Sequence, residues 1–310
     1  MNIYKGAISL AIFGESHGEA VGVILDGIPA GTAISKQGLQ EKMQKRSARG
    51  KISTARHEKD EVRIISGVRA GETEYLTTGA PVAILVANEN VRSKDYTNDV
   101  LPRPSHADFV ASEKYNGFAD LRGGGHFSGR LTAPIVAAGY IAECVLAEDD
   151  ISIGSHLLRV KDVTDRQFSC DVVELKREIV AVNDKYFPVL DENVGAKMQE
   201  LASAAASAGD SVGGIVETAV VGHGIGIGEP FFDSVESVLS HLIFSIPAVK
   251  GVEFGLGFDF ATQYGSDAND EFYYDNSGKI ATKTNNNAGI NGGITNGMPI
   301  IIKTAIKPTP

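Results

Sequence analysis

Residues 14–31, GESHGEAVGVILDGIPAG, align without a gap to residues 209–226, GDSVGGIVETAVVGHGIG, and this pairing decides how the fold is read. Glycines coincide at Gly14/Gly209, Gly18/Gly213, Gly27/Gly222 and Gly31/Gly226. Ser16 matches Ser211, Val21 matches Val216, and Glu15 faces Asp210. In each copy the turn is followed by an alternating strand, a glycine loop and a predicted helix. Such self-similarity describes one domain of two similar halves, roughly 1–150 and 200–310, packed around a pseudo-twofold axis. His17 falls opposite Val212. The turn therefore forms without a histidine, which moves His17 from a structural role towards a chemical one.

Outward from these copies, runs rich in Val and Ile and bounded by Gly, Pro or Asn predict strands at 7–13, 20–26, 62–68, 81–87, 212–222 and 298–306. Helices are expected at 35–47 with Ser35 as N-cap, and at 132–147, 172–184, 191–207 and 232–244. The helix at 191–207 starts at Asp191, with Gly209 as its C-cap. The helix at 132–147 carries Ala133, Ala137, Ala138 and Ala142 and little polar surface before Glu143, which places it in the interior. The class is α+β.

The net charge of −10 argues against nucleic acid and acidic membranes as partners. Residues 42–59 are a local exception, with seven Lys or Arg against the single acid Glu58. One basic segment in an acidic chain points to a small anionic ligand. Cys144 and Cys170 have neither metal-ligand spacing nor a disulfide framework, which fits a reducing compartment. No leader precedes the first strand, and the apolar run 133–142 is short for a bilayer. A cytoplasmic location is expected.

Three constellations can carry chemistry. His17 sits in the turn Gly14–Gly18. His106 sits in Pro102-Arg103-Pro104-Ser105-His106-Ala107-Asp108, where two prolines fix the approach and Asp108 is able to orient a ring. The third is Arg122-Gly123-Gly124-Gly125-His126-Phe127-Ser128-Gly129-Arg130-Leu131-Thr132, leading into the alanine-rich helix. Its glycines let a ligand approach the backbone, and a helix N-terminus offers amides to an anion. It is neither a Walker A loop nor a dinucleotide fingerprint, and no histidine or cysteine spacing suggests a metal.

Six blocks, GESHGEAVGVILDGIPAG (14–31), RPSHADF (103–109), RGGGHFSGRLTAPIVAAGYI (122–141), SIPAVKGVEFGLGF (245–258), NNNAGINGGITNG (285–297) and KPTP (307–310), together resemble the chorismate synthase family, in the family's order. The resemblance implies a β-α-β sandwich, with helices between two mainly antiparallel sheets, assembled as a homotetramer. It implies a lyase of the shikimate pathway to aromatic amino acids, one that converts 5-enolpyruvylshikimate 3-phosphate to chorismate by 1,4-anti elimination using reduced FMN. NADPH would serve only if the chain also reduces its own flavin, and no dinucleotide motif supports that added oxidoreductase activity.

Carried over by position, His17 would be the general acid at the leaving phosphate, and His106 would donate to the reduced flavin. Ser16, Arg46, Lys51 and Arg130 would bind substrate, with Lys45 and Arg49 as neighbours. His126, Phe127, Ser128, Pro247, Ala248, Gly292, Lys307, Pro308, Thr309 and Pro310 would contact FMN. Many members have Arg-Ser-Ser-Ala-Arg where this chain has His126-Phe127-Ser128-Gly129-Arg130, so His126 departs from the pattern. Members also continue past Lys-Pro-Thr-Pro through an Arg-x-Asp-Pro-Cys segment that completes the flavin site. Nothing matches it here, so the sequence is expected to lack that segment; the alternative function is then an inactive, truncated binding protein.

Overall fold

The computed structural model describes residues 2–47, 58–89, 101–275 and 278–310. Its chain divides into two compact units, Met1–Leu146 and Ala147–Thr309.

The first unit contains β1 (Ile3–Tyr4), β2 (Ser9–Gly14), β3 (Ala20–Asp26), β4 (Ala33–Ser35), α1 (Lys36–Arg46), β5 (Val62–Ser66), β6 (Val68–Ala70), β7 (Glu74–Thr77), β8 (Val82–Ala87), α2 (Asp108–Lys114) and α3 (Thr132–Ala147). Five strands form a sheet in the order β1-β2-β3-β8-β5, every neighbour antiparallel, and β4-β7-β6 form a second, small sheet. Strand periodicity sets which side chains go inward. Val21, Val23 and Leu25 of β3 and Val82, Ile84 and Val86 of β8 are buried together, whereas Ile24, between two of them, is 40% exposed. Ala133, Ala137, Ala138 and Ile141 of α3 share that core with Leu39 and Met43 of α1. Ser35 caps α1 as expected, its side chain accepting from Gly38 N.

The sequence reading gives the bounds of α3 correctly, but its burial runs along one face only; Gly139 is exposed and most of the last two turns are half-buried. Small alanines on that face let the helix lie close to its neighbours, and Ile141 supplies the bulk. Ile141 is fully buried. Ile141→Ala should therefore lower unfolding free energy by about 2–5 kcal/mol, the range for deleting a large aliphatic side chain from a core. Urea denaturation of parent and variant measures it. Among the described residues, Arg122–Ala147 is the single helical run long and apolar enough by length and composition to cross a bilayer. Backbone torsions leave helical space at Gly123, Gly124 and Gly125, and α3 itself has 16 residues.

The second unit contains β9 (Ser152–Val160), β10 (Val163–Thr164), α4 (Val172–Asn183), α5 (Glu192–Ser207), β11 (Gly214–Val221), α6 (Val235–Ile243), β12 (Val249–Phe254), β13 (Phe272–Tyr274), β14 (Ile280–Thr282), β15 (Ile290–Asn291), β16 (Ile294–Thr295) and β17 (Ile300–Ile306). Its main sheet runs β10-β9-β11-β17-β12, again antiparallel throughout, with β13-β14 and β15-β16 as hairpins. Leu175, Ile179 and Val182 of α4 pack with Ala219 and Val221 of β11. Asp191 caps α5 by accepting from Asn193 N and Val194 N, and Ala208, one residue before the expected Gly209, is its C-cap. Sequence reading misses β9 and β12, and it starts α6 three residues early; Ser234 is the residue that caps it.

Candidate active site

Strand β2 ends at Gly14, whose φ of +98° and close approach to Ala20 O (a Cβ would sit 2.4 Å away) only glycine accommodates. The chain then turns through Glu15–Gly18, closed by Gly18 N donating to Glu15 O at 3.1 Å. Ser16 is fully buried, and its N–H donates to Gly125 O at 3.0 Å. His126 Nδ1 donates to Gly14 O at 2.8 Å. His126 thus holds the turn by its imidazole, which accounts for a histidine at a position where the family pattern has another residue.

The three glycines before it have positive φ, of 58°, 88° and 54°. A Cβ on Gly123 would lie 2.2 Å from His17 Cε1 and 2.4 Å from its Nδ1. One on Gly124 would lie 3.3 Å from His106 Cε1 and 3.4 Å from its Nε2. One stretch of bare backbone therefore supports both imidazoles, and the glycine run the sequence offers as a ligand loop is what brings His17 and His106 together.

His106 is oriented from behind. Its Nδ1 is 2.6 Å from Asp108 Oδ1. Arg103 grips the same carboxylate through Nε and Nη2, both at 2.8 Å, and through its backbone N–H at 3.0 Å. The Arg103 side-chain hydrogen bonds, working against burial, hold Asp108 far below the usual carboxylate range. An ionised carboxylate only accepts, so Nδ1 carries its hydrogen and Nε2 faces Gly124. Asp120 is likewise lowered, first by its hydrogen bonds from Arg122 and in smaller part by His17.

Of the basic segment, Arg46 belongs to a buried cluster. Arg46, at the end of α1, and Arg130 each donate to one oxygen of Asp60. Asp60 is 3% exposed and has a φ of +50°. Arg46 Nε also donates to Thr132 Oγ1 at 3.2 Å. Burial, reinforced by Arg130 and opposed by Asp60, pulls the Arg46 pKa down. Two guanidiniums around one carboxylate leave a single net positive charge, with Arg46 as its more accessible end.

Arg130 is almost wholly buried. Its side chain is 2% exposed, and Nε and Nη2 donate to Asn88 Oδ1 and Ala87 O, both at 2.8 Å. Arg130 thereby joins Asp60, Asn88 and the end of β8. Arg49 and Lys51 lie outside the described residues. Ser128 caps the turn into α3, its Oγ accepting from Arg130 N at 3.3 Å, while Phe127 is 39% exposed. Sequence reading did not single out Asp60 or Asn88.

The remaining expected contacts belong to the second unit. Ala248, after Pro247, has a φ of +72°, and its carbonyl accepts from Lys307 N at 2.9 Å. Ser211 Oγ donates to Thr309 O at 2.5 Å, and Pro308 Cδ is 3.0 Å from where a Cβ of Gly213 would be. Pro308, Thr309 and Pro310 are exposed. Gly292 and Gly293, with φ of 61° and 84°, make the two-residue β15–β16 turn, and a Cβ on Gly292 would meet open space. Asp270 holds the preceding segment, accepting from Asn286 N at 2.7 Å, Asn287 N at 2.8 Å and Thr284 Oγ1 at 2.6 Å.

Two histidines on one glycine backbone, one backed by an Asp–Arg pair, and a cluster of net charge +1 tied to the same turn define an acid–base enzyme for an anionic small molecule. The family model for chorismate synthase matches residues 8–310. A chorismate synthase of Pyrococcus abyssi is 45% identical over 305 residues, 98% of this chain and 82% of that protein. One of Chitinophaga pinensis is 45% identical over 310 residues, 100% of this chain and 81% of that protein. A crystal structure of chorismate synthase superposes with a TM-score of 0.79 at 27% identity, covering 97% of this chain and 85% of that one. The chain belongs to the chorismate synthase family, and its activity is that of the lyase at the final step of the shikimate pathway.

Proposed function

We propose that His17 and His106 carry the elimination, and the observation behind this is the glycine run that seats both imidazoles. The substrate loses phosphate from C3 with the C–O bonding pair and a proton from C6, and a second ring double bond forms, with no net change of oxidation state. His17, half-buried beside Gly123, would give a proton to the departing phosphate oxygen. Arg46, the accessible end of the guanidinium cluster, binds an anionic group of the substrate, and Ser16 fixes the turn. Arg130 acts through Asp60 and Asn88.

The residues present fit a flavin mononucleotide. Within the first unit, an exposed Phe127 ring and His106 beside the bare backbone of Gly124 suit a planar, hydrogen-bonding ring. His126, Phe127, Ser128, Pro247, Ala248, Gly292 and Lys307 to Pro310 would hold it. Reduced FMN, when bound, supplies electron density to the substrate as phosphate leaves and receives the C6 hydrogen afterwards. His106, its Nδ1–H held by Asp108, would donate from Nε2 to an anionic ring when both ring nitrogens carry hydrogen. The test is an anaerobic assay for chorismate and phosphate: one of each should form per substrate, and only with reduced FMN. Chorismate formed with flavin rigorously excluded would overturn the cofactor assignment.

We also infer that the two units are copies of one element, from which the sandwich implied by family membership is built. Strand β3 pairs with β8 from Ala20↔Ala87 to Leu25↔Val82, and β11 pairs with β17 from Ile215↔Ala305 to Val220↔Ile300. In the first unit Gly31 N donates to Thr77 O and Thr32 N to Thr77 Oγ1. In the second, Gly226 N donates to Thr295 O and Ile227 N to Thr295 Oγ1. Residues 20–32 correspond to 215–227 at the offset of the sequence repeat, and their partners Thr77, Val82 and Ala87 correspond to Thr295, Ile300 and Ala305 at one longer, common offset. A cytoplasmic homotetramer completes the reading; both cysteines are free, and light scattering reads the mass of the assembly.

A further inference from the structure

We infer that Asn88 is a positioning residue that holds His17 for proton transfer, tying the histidine's turn to the Asp60–Arg130 pair. The inference rests on the role given to His17 above. Asn88 follows the last residue of β8, and its backbone N–H donates to Glu19 O at 3.1 Å, so the root of the side chain is fixed by the sheet. Its amide reaches two ways. Nδ2 donates to Glu15 O at 3.0 Å and to Gly18 O at 2.8 Å, the carbonyls that flank Ser16 and His17. Oδ1 accepts from Arg130 Nε at 2.8 Å. The orientation is dictated by chemistry, because the flipped amide would set NH₂ against a guanidinium and oxygen against two carbonyls. Arg130 is in turn held by Asp60, which also holds Arg46. A continuous set of hydrogen bonds therefore runs from the anion-binding arginine to the turn that carries the proton donor.

The matching stretch in the other half, residues 210–213, leads from α5 into β11 without a turn. By the strand registers, Ala87 corresponds to Ala305, so Asn88 corresponds to Ile306, just as His17 corresponds to Val212. The asparagine and the histidine are present together in one copy and missing together from the other.

The experiment is a double-mutant cycle in the full chain, reading kcat at saturating substrate and reduced FMN for Asn88→Ala, Asn88→Asp, His17→Ala and the two combinations. Asn88→Asp keeps the acceptor for Arg130 but presents oxygen to both carbonyls; its added charge is expected to raise KM, which is why kcat is read. Each single Asn88 variant should lose about 10- to 100-fold in kcat, the scale of a donor displaced by about an ångström. In the His17→Ala background the same changes should cost less than about 3-fold, since residues acting as a unit are not additive. Multiplicative losses in the combinations, or Asn88→Asp turning over like the parent, would overturn the inference. Should Asn88→Ala fail to fold, the Asn88→Asp arm decides alone, because its pairing with Arg130 is kept. Parent-like turnover in His17→Ala would instead remove the role of His17 itself, an outcome distinguished because that variant is measured singly.

Discussion

His17→Ala and His106→Ala should each lower turnover by about 10²- to 10⁴-fold, the usual scale for removing a positioned acid or base. Neither change should cost much stability. The turn that bears His17 is closed by Gly18 N–Glu15 O, by Asn88 and by His126. Removal of the His106 ring leaves the Arg103–Asp108 pair intact. The two variants should differ in kind. Loss of a donor to the leaving phosphate reduces kcat with little change in substrate KM, whereas loss of His106 should also weaken binding of the reduced flavin. Steady-state rates at several flavin concentrations, with thermal melts alongside, make the comparison. Near-parent turnover in either variant would take that residue out of the mechanism.

Where apolar periodicity and burial agree, the fold could be read from sequence, and where polar groups are buried it could not. Strand β3 alternates Val21, Val23 and Leu25 inward, and α3 is bounded by a glycine turn before it and an acidic stretch after it; both were placed to the residue. Strand β9 was missed although it has nine residues, because its buried face is Gly154, His156 and Leu158. His156 is tolerated there only because Glu217 lies 2.9 Å from one ring nitrogen and Asp165 3.6 Å from the other, both buried; these partners are far away in sequence. Strand β12 escaped for a similar reason, since Lys250 and Glu253 break its apolar run.

The site divides along the same line. Histidines in turns and a run of glycines announce themselves locally, as does Asp108 two residues from His106. Asp60 and Asn88 depend on contacts 70 and 42 residues away with Arg130, and no local signal marks them. Arg130 was expected at the ligand because charge is visible in a sequence while burial is not. Its side chain is 2% exposed and paired with Asp60, a placement that no local signal shows.

The second large effect is expected at Gly125. Its φ and ψ, 54° and −129°, lie outside the space that residues with a Cβ readily occupy. A Cβ there would sit 1.7 Å from Asp120 O, an impossible contact with backbone that must be relieved by moving one segment or the other. Asp120 is poorly placed to move, because Arg122 grips its carboxylate at 2.9 and 2.7 Å and the Arg122 backbone N–H adds a third bond at 3.1 Å. The displacement therefore falls on the Gly123–Gly125 segment, whose backbone seats both imidazoles and whose last carbonyl accepts from Ser16 N. Gly125→Ala should lose on the order of 10²-fold or more in turnover, the cost of misplacing reacting groups by about an ångström. It should also lower stability by about 1–3 kcal/mol through backbone strain. Gly139→Ala provides the contrast: that glycine is exposed in the middle of α3, with no atom within 4 Å of the added carbon, so the change should raise helix stability by up to about 1 kcal/mol. Melting temperatures and kcat for the two variants test the argument together. A Gly125→Ala protein that melts and turns over like the parent would show that the glycine run is not what holds His17 and His106 in place.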